Sequence, residues 1–284
     1  KHYLYVSGTS GTYLEYMKWY AKFVREQFSR WTTNVLDIGC NDGSQLDAFK
    51  ALGYKTYGVD PATNLHATST SKGHKVLCDF WPTDQGFDTQ FDIIIAQNSF
   101  AHNPNPLAWL LSAIQRLRRD GLIFIQTSQA DMVQNGEFDT IYHEHINFFN
   151  TVSMESLVNR AGLYLANVEK VPIHGTSYIF IITKVKNVDG NLDSVKNAEH
   201  FLHMKRTYDC YTENVQTNMK ELQNTVESYR NKQFCMVGYG AAAKGNTLLN
   251  FSKIKLDFII DDSEIKQGKW TPGQRIPIVS RSVL

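Results

Sequence analysis

Residues 34–43 read Asn-Val-Leu-Asp-Ile-Gly-Cys-Asn-Asp-Gly: an apolar run that closes on a turn carrying two glycines, with a helix-like segment opening directly behind it at Ser44. Glycines at such a turn let the backbone approach a ligand closely, and a helix N-terminus presents free N–H groups there. Working outward, four more short runs rich in Val, Ile, Leu and Phe follow at 55–60, 74–80, 91–100 and 121–128. Runs without polar alternation are the sign of strands covered on both faces. Between them lie helix-like stretches. One stops at Gly53, one spans 62–73, and one carries Pro106 near its start and basic residues before Gly121. The alternation predicts an α/β fold with a parallel, doubly wound sheet. Ligands on such sheets bind at the carboxyl ends of the strands, where strand order reverses.

Beyond the fifth run the alternation pauses for about twenty residues from Ser128 to Asn150, then resumes with a helix at 153–162 and strand-like runs at 163–171 and 176–186. Residues 192–230 read as one long helix, with Phe201, Tyr208, Val215, Leu222 and Tyr229 recurring every seven residues. That stripe suits a linker helix packed between two lobes, or a dimer seam, so monomer and homodimer both stay open. A second strand, Gly-rich turn and helix at 234–251, followed by a strand at 256–262, begin a partial second Rossmann-like lobe. Four parts are therefore expected: an N-terminal helical segment at 1–33, the sheet domain at 34–187, the linker helix at 188–232, and the small lobe at 233–284.

The chain has 284 residues, 42% hydrophobic and 20% charged, and its 29 basic against 28 acidic side chains leave a net charge of +1. The composition is that of a folded globular protein. A binder that neutralises many phosphates needs a surplus of Lys and Arg, so no nucleic-acid partner is expected. No stretch is apolar enough to span a membrane and the first residues have no signal core; a cytoplasmic protein without a membrane partner is expected. Cys40, Cys78, Cys210 and Cys235 are far apart and form no metal-binding pair. The sequence opens without Met and ends soon after Ile276-Pro277-Ile278, which leaves open that it is a piece of a longer protein.

The turn has the spacing Gly39-x-x-x-Gly43, flanked by Asp37 and Asp42, with Cys40 and Asn41 between. A dinucleotide oxidoreductase favours G-x-G-x-x-G, and acidic flanks repel a diphosphate. They suit a cation such as an amino acid carrying a sulfonium. Asp60, ending the second strand, can accept both hydroxyls of a ribose. Asp79 can accept an adenine amino group, Phe80 can lie on the ring, and Asn98 ends the fourth strand beside the same crevice. At these residues the sequence resembles the class I S-adenosylmethionine-dependent methyltransferases. The resemblance implies a Rossmann-like seven-stranded sheet and S-adenosylmethionine as cofactor, with S-adenosylhomocysteine as product.

The pause carries Tyr142-His143-Glu144-His145-Ile146-Asn147-Phe148-Phe149 and should overhang the methyl group; on an extended backbone Tyr142 and Glu144 would face one way and the two His the other. His102, after the fourth strand, joins the same end of the sheet. Imidazole can take a proton near neutrality, so a general base is the leading reading of at least one of these His, over a metal pair or a structural role.

This motif, the turn from Val237 to Asn250 and the run from Ile259 to Ile278 together resemble the sugar C-methyltransferases of deoxysugar biosynthesis, which methylate carbon 3 of a nucleotide-linked 4-keto-6-deoxyhexose. The resemblance implies His145 as base, with Tyr142, Glu144 and His102 lining its pocket. It implies Tyr3 or Tyr5 as an N-terminal contributor. His174 and Ser177, in a variant of a family stretch, and Tyr239, Lys244, Asn246 and Lys266 of the small lobe would bind the dTDP-linked or similar sugar. The family's Cys-rich zinc module has no counterpart among these residues, so no metal and no zinc are expected. An O-methyltransferase is the runner-up, a nicotinamide oxidoreductase comes third, and a non-enzymatic binding module is the last reading.

Overall fold

The computed structural model describes residues 2–186 and 190–284. In chain order the elements are α1 (Gly11–Glu26), β1 (Asn34–Ile38), α2 (Ser44–Ala51), β2 (Lys55–Val59), α3 (Thr63–Ser71), β3 (Lys75–Leu77), β4 (Phe91–Gln97), α4 (Pro106–Arg116), β5 (Leu117–Ala130), α5 (Met132–Asn135), α6 (Thr151–Arg160), β6 (Tyr164–Val171), β7 (Thr176–Thr183), α7 (Leu192–Ala198), α8 (Lys205–Asn231), β8 (Val237–Tyr239), α9 (Ala243–Ser252), β9 (Phe258–Ile260) and β10 (Ile278–Val279). They fall into two units, one of residues up to 130 with 146–199, the other of 131–145 with 200–284.

The first unit is built on a seven-stranded sheet of order β3-β2-β1-β4-β5-β7-β6. Neighbours from β3 to β5 run parallel, and β7 runs antiparallel to both β5 and β6. Strand order reverses between β1 and β4, which sets a ligand crevice at their carboxyl ends. The apolar runs become strands because both faces are covered. On one face Tyr20, Ala21 and Val24 of α1 and Leu46 and Phe49 of α2 pack on Val35, Ile93, Ile95 and Phe124. On the other, Trp109 and Leu110 of α4 and Met154 and Val158 of α6 pack on Leu36, Ile94, Ile123 and Phe180. Asn105 starts α4 by accepting the Ala108 N–H, with Pro106 in the first turn. At the opposite end from the crevice, buried Asp92 accepts the N–H groups of Thr33 and Asn34 and the guanidinium groups of Arg30 and Arg118. Burial pushes this carboxyl up, but those donors outweigh it and hold it below its ordinary value.

The second unit has a three-stranded sheet of order β10-β9-β8, both pairs parallel, with α9 crossing between β8 and β9. Leu249, Ile254, Ile259 and Ile276 form its core, with Leu222 and Val226 of α8 against it. The helical pattern from 192 to 230 is interrupted: α7 ends at Ala198, a short 3-10 turn covers His200–His203, and the 27-residue α8 follows. Among the described residues no helix is long and apolar enough to cross a membrane.

Candidate active site

The turn after β1 is shaped for close approach. Gly39 has φ 91°, and a Cβ there would lie 2.5 Å from the Ser99 side chain, so only glycine fits without displacement. Its N–H donates to the Val59 carbonyl, and Ser99 Oγ donates to the Ile38 carbonyl. Asn41, at φ 52°, gives its N–H to Asp60 Oδ2, whose Oδ1 accepts the Ala62 N–H. Gly43, at φ 80°, is the N-cap of α2. Asp37 is buried, and burial, reinforced by Asp60, pushes its carboxyl up to about 8. Cys40 turns its side chain into the core, where it fills the place a Cβ on Gly58 would take, and leaves its backbone to the crevice. Asn98, at φ 52° after β4, donates its N–H to the Gln126 carbonyl; its Oδ1 is buried with no hydrogen-bond partner among the described residues. Phe80 is exposed and Asp79 half-buried, and the Asp79 carboxylate is engaged by its own turn, through Thr83 and the Phe80 N–H, which hold its pKa down.

The N-terminal segment is tied to this turn. Asn41 Nδ2 donates to the Tyr5 carbonyl, the Ser7 N–H donates to Asn41 Oδ1, and the Gly8 N–H donates to Asp42. Tyr3 exchanges two backbone hydrogen bonds with the Asn64 side chain. Burial, then Asp42, raises the Tyr5 pKa. His102 sits at the end of a short 3-10 turn whose Ala101 carbonyl accepts the N–H groups of Ile146 and Asn147. His174, at φ 55°, packs at a tilt against Tyr13 with ring centroids 5.0 Å apart. Ser177 is buried and spends its hydroxyl on the Ile173 carbonyl, an internal tie.

In the second unit the Tyr142–His145 stretch is a tight turn, not the extended strand the alternation suggested. The His145 N–H donates to the Tyr142 carbonyl at 3.0 Å, which brings both side chains to one side. His145 Nδ1 lies 2.8 Å from the Thr140 carbonyl, an oxygen that can only accept, so Nδ1 carries the proton. Nε2 is then the basic nitrogen and takes the Tyr142 hydroxyl at 3.0 Å. Burial lowers the His145 pKa; the Thr140 bond and Glu144 oppose this, and the charge of Lys244 adds to it. Burial, then Glu144, pushes Tyr142 up to about 12, so it stays a neutral donor.

The Gly-rich turn after β8 lines a small pocket with Gly240, Ala241, Ala242, Gly245, Asn246 and Thr271. Asn246 Oδ1 is buried there with no partner among the described residues. Lys266 pairs with Asp261 at 3.0 Å, and the exposed Tyr239 donates to Asp262. The structure brings the expected residues into three groupings: the β1 turn with Asp60 and Asn98, the Tyr142–His145 turn, beside which Lys244, expected with the small-lobe residues, places its charge, and the small-lobe pocket. Sequence reasoning missed Tyr13, Tyr16, Gln97 and Gln126. Tyr13 and Tyr16 hydroxyls reach Gln97 and Gln126 Oε1, at 3.5 and 2.6 Å. The available signal was a Gln inside each of two otherwise apolar central strands, where an uncompensated amide is costly.

A model of the methyltransferase domain matches residues 13–168, more than half the chain, and a model of the C-methyltransferase C-terminal domain matches 172–284. The chain belongs to the methyltransferase-domain family. It is an S-adenosylmethionine-dependent methyltransferase carrying a C-methyltransferase C-terminal domain. The C-methyltransferase NovU of Streptomyces niveus is 26% identical over 98% of this chain and 70% of its own length. A ubiquinone biosynthesis O-methyltransferase of Glaesserella parasuis is 35% identical over a shorter stretch, 33% of this chain and 44% of that protein. In fold, the methyltransferase resembles a chain of the complex between the Haloferax volcanii Trm112 activator and a methyltransferase, with TM-score 0.52, 13% identity and coverage of 62% and 92% of the two chains. It also resembles the plantazolicin methyltransferase BpumL, solved with S-adenosylhomocysteine, with TM-score 0.50, 13% identity and coverage of 63% and 87%. The residues present fit the cofactor: a glycine turn packed so closely on the protein that a Cβ at Gly39 would strike Ser99 and one at Gly43 would strike His74, and acids suited to a cationic amino acid and a ribose.

Proposed function

We propose that this methyltransferase transfers a methyl group to a carbon next to a ketone, C3 of a nucleotide-linked 4-keto-6-deoxy sugar, through an enolate. The observation that carries the reading is the His145 imidazole, whose Nδ1 proton is fixed by the Thr140 carbonyl and whose Nε2 is left able to accept a proton because burial and Lys244 lower the ring's pKa. A carbon beside a ketone becomes nucleophilic only after its proton is removed, so such a base is what the chemistry requires. His145 Nε2 takes the C3 proton, the C–H electron pair moves into the ring, and the C4 oxygen becomes an oxyanion. Tyr142 or His102 donates a hydrogen bond to that oxygen, and Glu144 orients the base or the sugar.

S-adenosylmethionine, when bound, supplies an electrophilic methyl group on its sulfonium. The groups that would hold it are Asp37 and Asp60, the backbone of Gly39, Cys40, Asn41 and Gly43, and Asn98, with Asp79 and Phe80 at the adenine end. The electron pair of the enolate would form the new C–C bond as the methyl–sulfur bond breaks and its pair passes to sulfur, leaving S-adenosylhomocysteine, and the ketone would be restored. Positioning by these residues supplies much of the acceleration, since well-oriented reactants can gain roughly 7–11 kcal/mol. Asn246, Lys244, Lys266 and Tyr239 of the small lobe, with His174 and Tyr3 or Tyr5, bind the nucleotide sugar in this reading, and the reaction belongs in the cytoplasm.

The test is solvent exchange. Protein loaded with S-adenosylhomocysteine is incubated with a dTDP-linked 4-keto-6-deoxyhexose in deuterated water and the C3 signal is followed by NMR. Loss of the C3 proton, dependent on His145, supports the enolate. A retained proton together with methyl transfer to a hydroxyl identifies an O-methyltransferase, in which His145 would deprotonate oxygen instead.

A further inference from the structure

Two glutamines stand where central strands are otherwise apolar. Gln97 of β4 and Gln126 of β5 are register partners near the carboxyl ends of adjacent parallel strands, so their side chains emerge on the same face. Helix α1 covers that face and lays a row of phenols on it, with Tyr13 and Tyr16 stacked 5.8 Å apart. Tyr16 donates its hydroxyl to Gln126 Oε1 at 2.6 Å, and burial raises its pKa so that it remains a donor. An amide whose oxygen is held this way has a fixed orientation, and its nitrogen must find an acceptor elsewhere. Gln126 is 0% exposed, and its Nε2 is buried without a hydrogen-bond partner among the described residues. A buried amide donor left unpaired is destabilising and needs an explanation.

The location supplies one. Gln126 lies one strand from the β1–β4 switch point, where the crevice opens. Its carbonyl accepts the Asn98 N–H, so it is joined directly to the residue that closes β4. Its neighbours are donors and acceptors: Tyr13, which reaches Gln97, and His174, whose ring lies tilted against Tyr13. An apolar acceptor would gain nothing from this lining. A ring bearing hydroxyl and ketone oxygens would satisfy it.

We propose that Gln126 is a substrate-binding residue whose Nε2 donates a hydrogen bond to a hydroxyl or ketone oxygen of the acceptor, and that Tyr16 is the positioning residue that aims it. The pair would make the enzyme selective for an oxygen-bearing acceptor over its deoxygenated analogue, because a site built to pair with an oxygen penalises the compound that lacks it. This deepens the keto-sugar reading and rests on it.

The experiment measures binding of a dTDP-linked 4-keto-6-deoxyhexose to the S-adenosylhomocysteine-loaded enzyme by calorimetry, and kcat and KM separately, for the wild type, Gln126→Met and Tyr16→Phe. Gln126→Met is expected to weaken sugar binding about tenfold or more, while S-adenosylhomocysteine binds as before. Tyr16→Phe, which keeps the ring and frees the amide, should raise KM by a smaller factor with kcat nearly unchanged. Should Gln126→Met fold poorly, Gln126→Leu removes the donor at similar size and is read in the same way. Sugar affinity unchanged in these variants, or sugar and S-adenosylhomocysteine affinities lost together, would overturn the assignment. A wild type that binds no keto sugar contradicts the functional reading, and the assignment falls with it; a wild type that binds it while the variants match it contradicts the assignment alone.

Discussion

The Tyr142 hydroxyl rests on His145 Nε2 at 3.0 Å with the two rings 4.2 Å apart, while the opposite ring nitrogen is bonded to the Thr140 carbonyl. Three residues of one short turn thus determine the tautomer of an imidazole and occupy its basic nitrogen with a displaceable donor. In the proposed reaction a substrate C–H entering at Nε2 would have only to move a phenol aside, and that phenol would then serve the oxyanion.

If His145 is the base, His145→Ala loses about 10²- to 10⁴-fold in turnover, the usual contribution of a general base. Affinity for S-adenosylhomocysteine, measured by calorimetry, stays at the wild-type value. Turnover within a few-fold of wild type would remove His145 from the role.

Burial and the Lys244 charge lower the His145 pKa from the ordinary 6.5. The base works neutral, so kcat/KM should hold its plateau below pH 6.5 and fall only as the ring protonates. In Lys244→Met the cationic contribution is gone and the acid limb should move to higher pH, alongside any rise in KM. An acid limb above pH 6.5 in the wild type contradicts this account of the ring.

Asp37 has its pKa pushed up from 3.8 to about 8 by burial and then by Asp60. A carboxyl raised on folding contributes stability that is fully present below the unfolded value and is lost as pH rises through the folded one. Asp37→Asn should therefore melt above the wild type by a margin that grows from pH 6 to pH 9. It should also bind S-adenosylmethionine more weakly, because it lacks the carboxylate that a cation would call into being. Binding of the cation to the wild type should release protons near pH 7, seen as a buffer-dependent calorimetric enthalpy. Equal melting temperatures across the range would contradict the raised pKa.

Asp92→Ala, far from the crevice, should destabilise by about 1–3 kcal/mol in denaturant melts, since it leaves the Thr33 and Asn34 N–H groups without their acceptor and takes a carboxylate from two half-exposed guanidinium groups, of which Arg30 keeps Asp120. The Asp92 pKa is lowered on folding, so its contribution is present above the ordinary carboxylate value and disappears as pH falls below it. A melt matching the wild type would show that the latch does not hold the sheet.

The order of elements was legible because a strand covered on both faces has to be apolar at its centre, and Val35 and Leu36 of β1, residues 93–96 of β4 and residues 122–125 of β5 are. Boundaries moved where side chains captured backbone groups. The third run stops at Leu77 because Asp79 takes the Phe80 N–H into a turn. The long helix breaks at Glu199, whose buried carboxylate accepts the Thr151 N–H and hydroxyl instead of facing solvent. The turn that pairs Tyr142 with His145 escaped a reading by alternation, since four residues carry both a period of two and a turn's geometry. Gln126 escaped because apolar flanks hide a single amide, and only the unpaired nitrogen makes it conspicuous.

The central claim is that a new carbon–carbon bond is made. The most direct measurement is NMR of the product formed from a dTDP-linked 4-keto-6-deoxyhexose and S-adenosylmethionine labelled with ¹³C in its methyl group. The account predicts a labelled methyl correlated to sugar C3, with the C3 proton gone. A labelled methyl ether, or a sugar recovered without label, would contradict it.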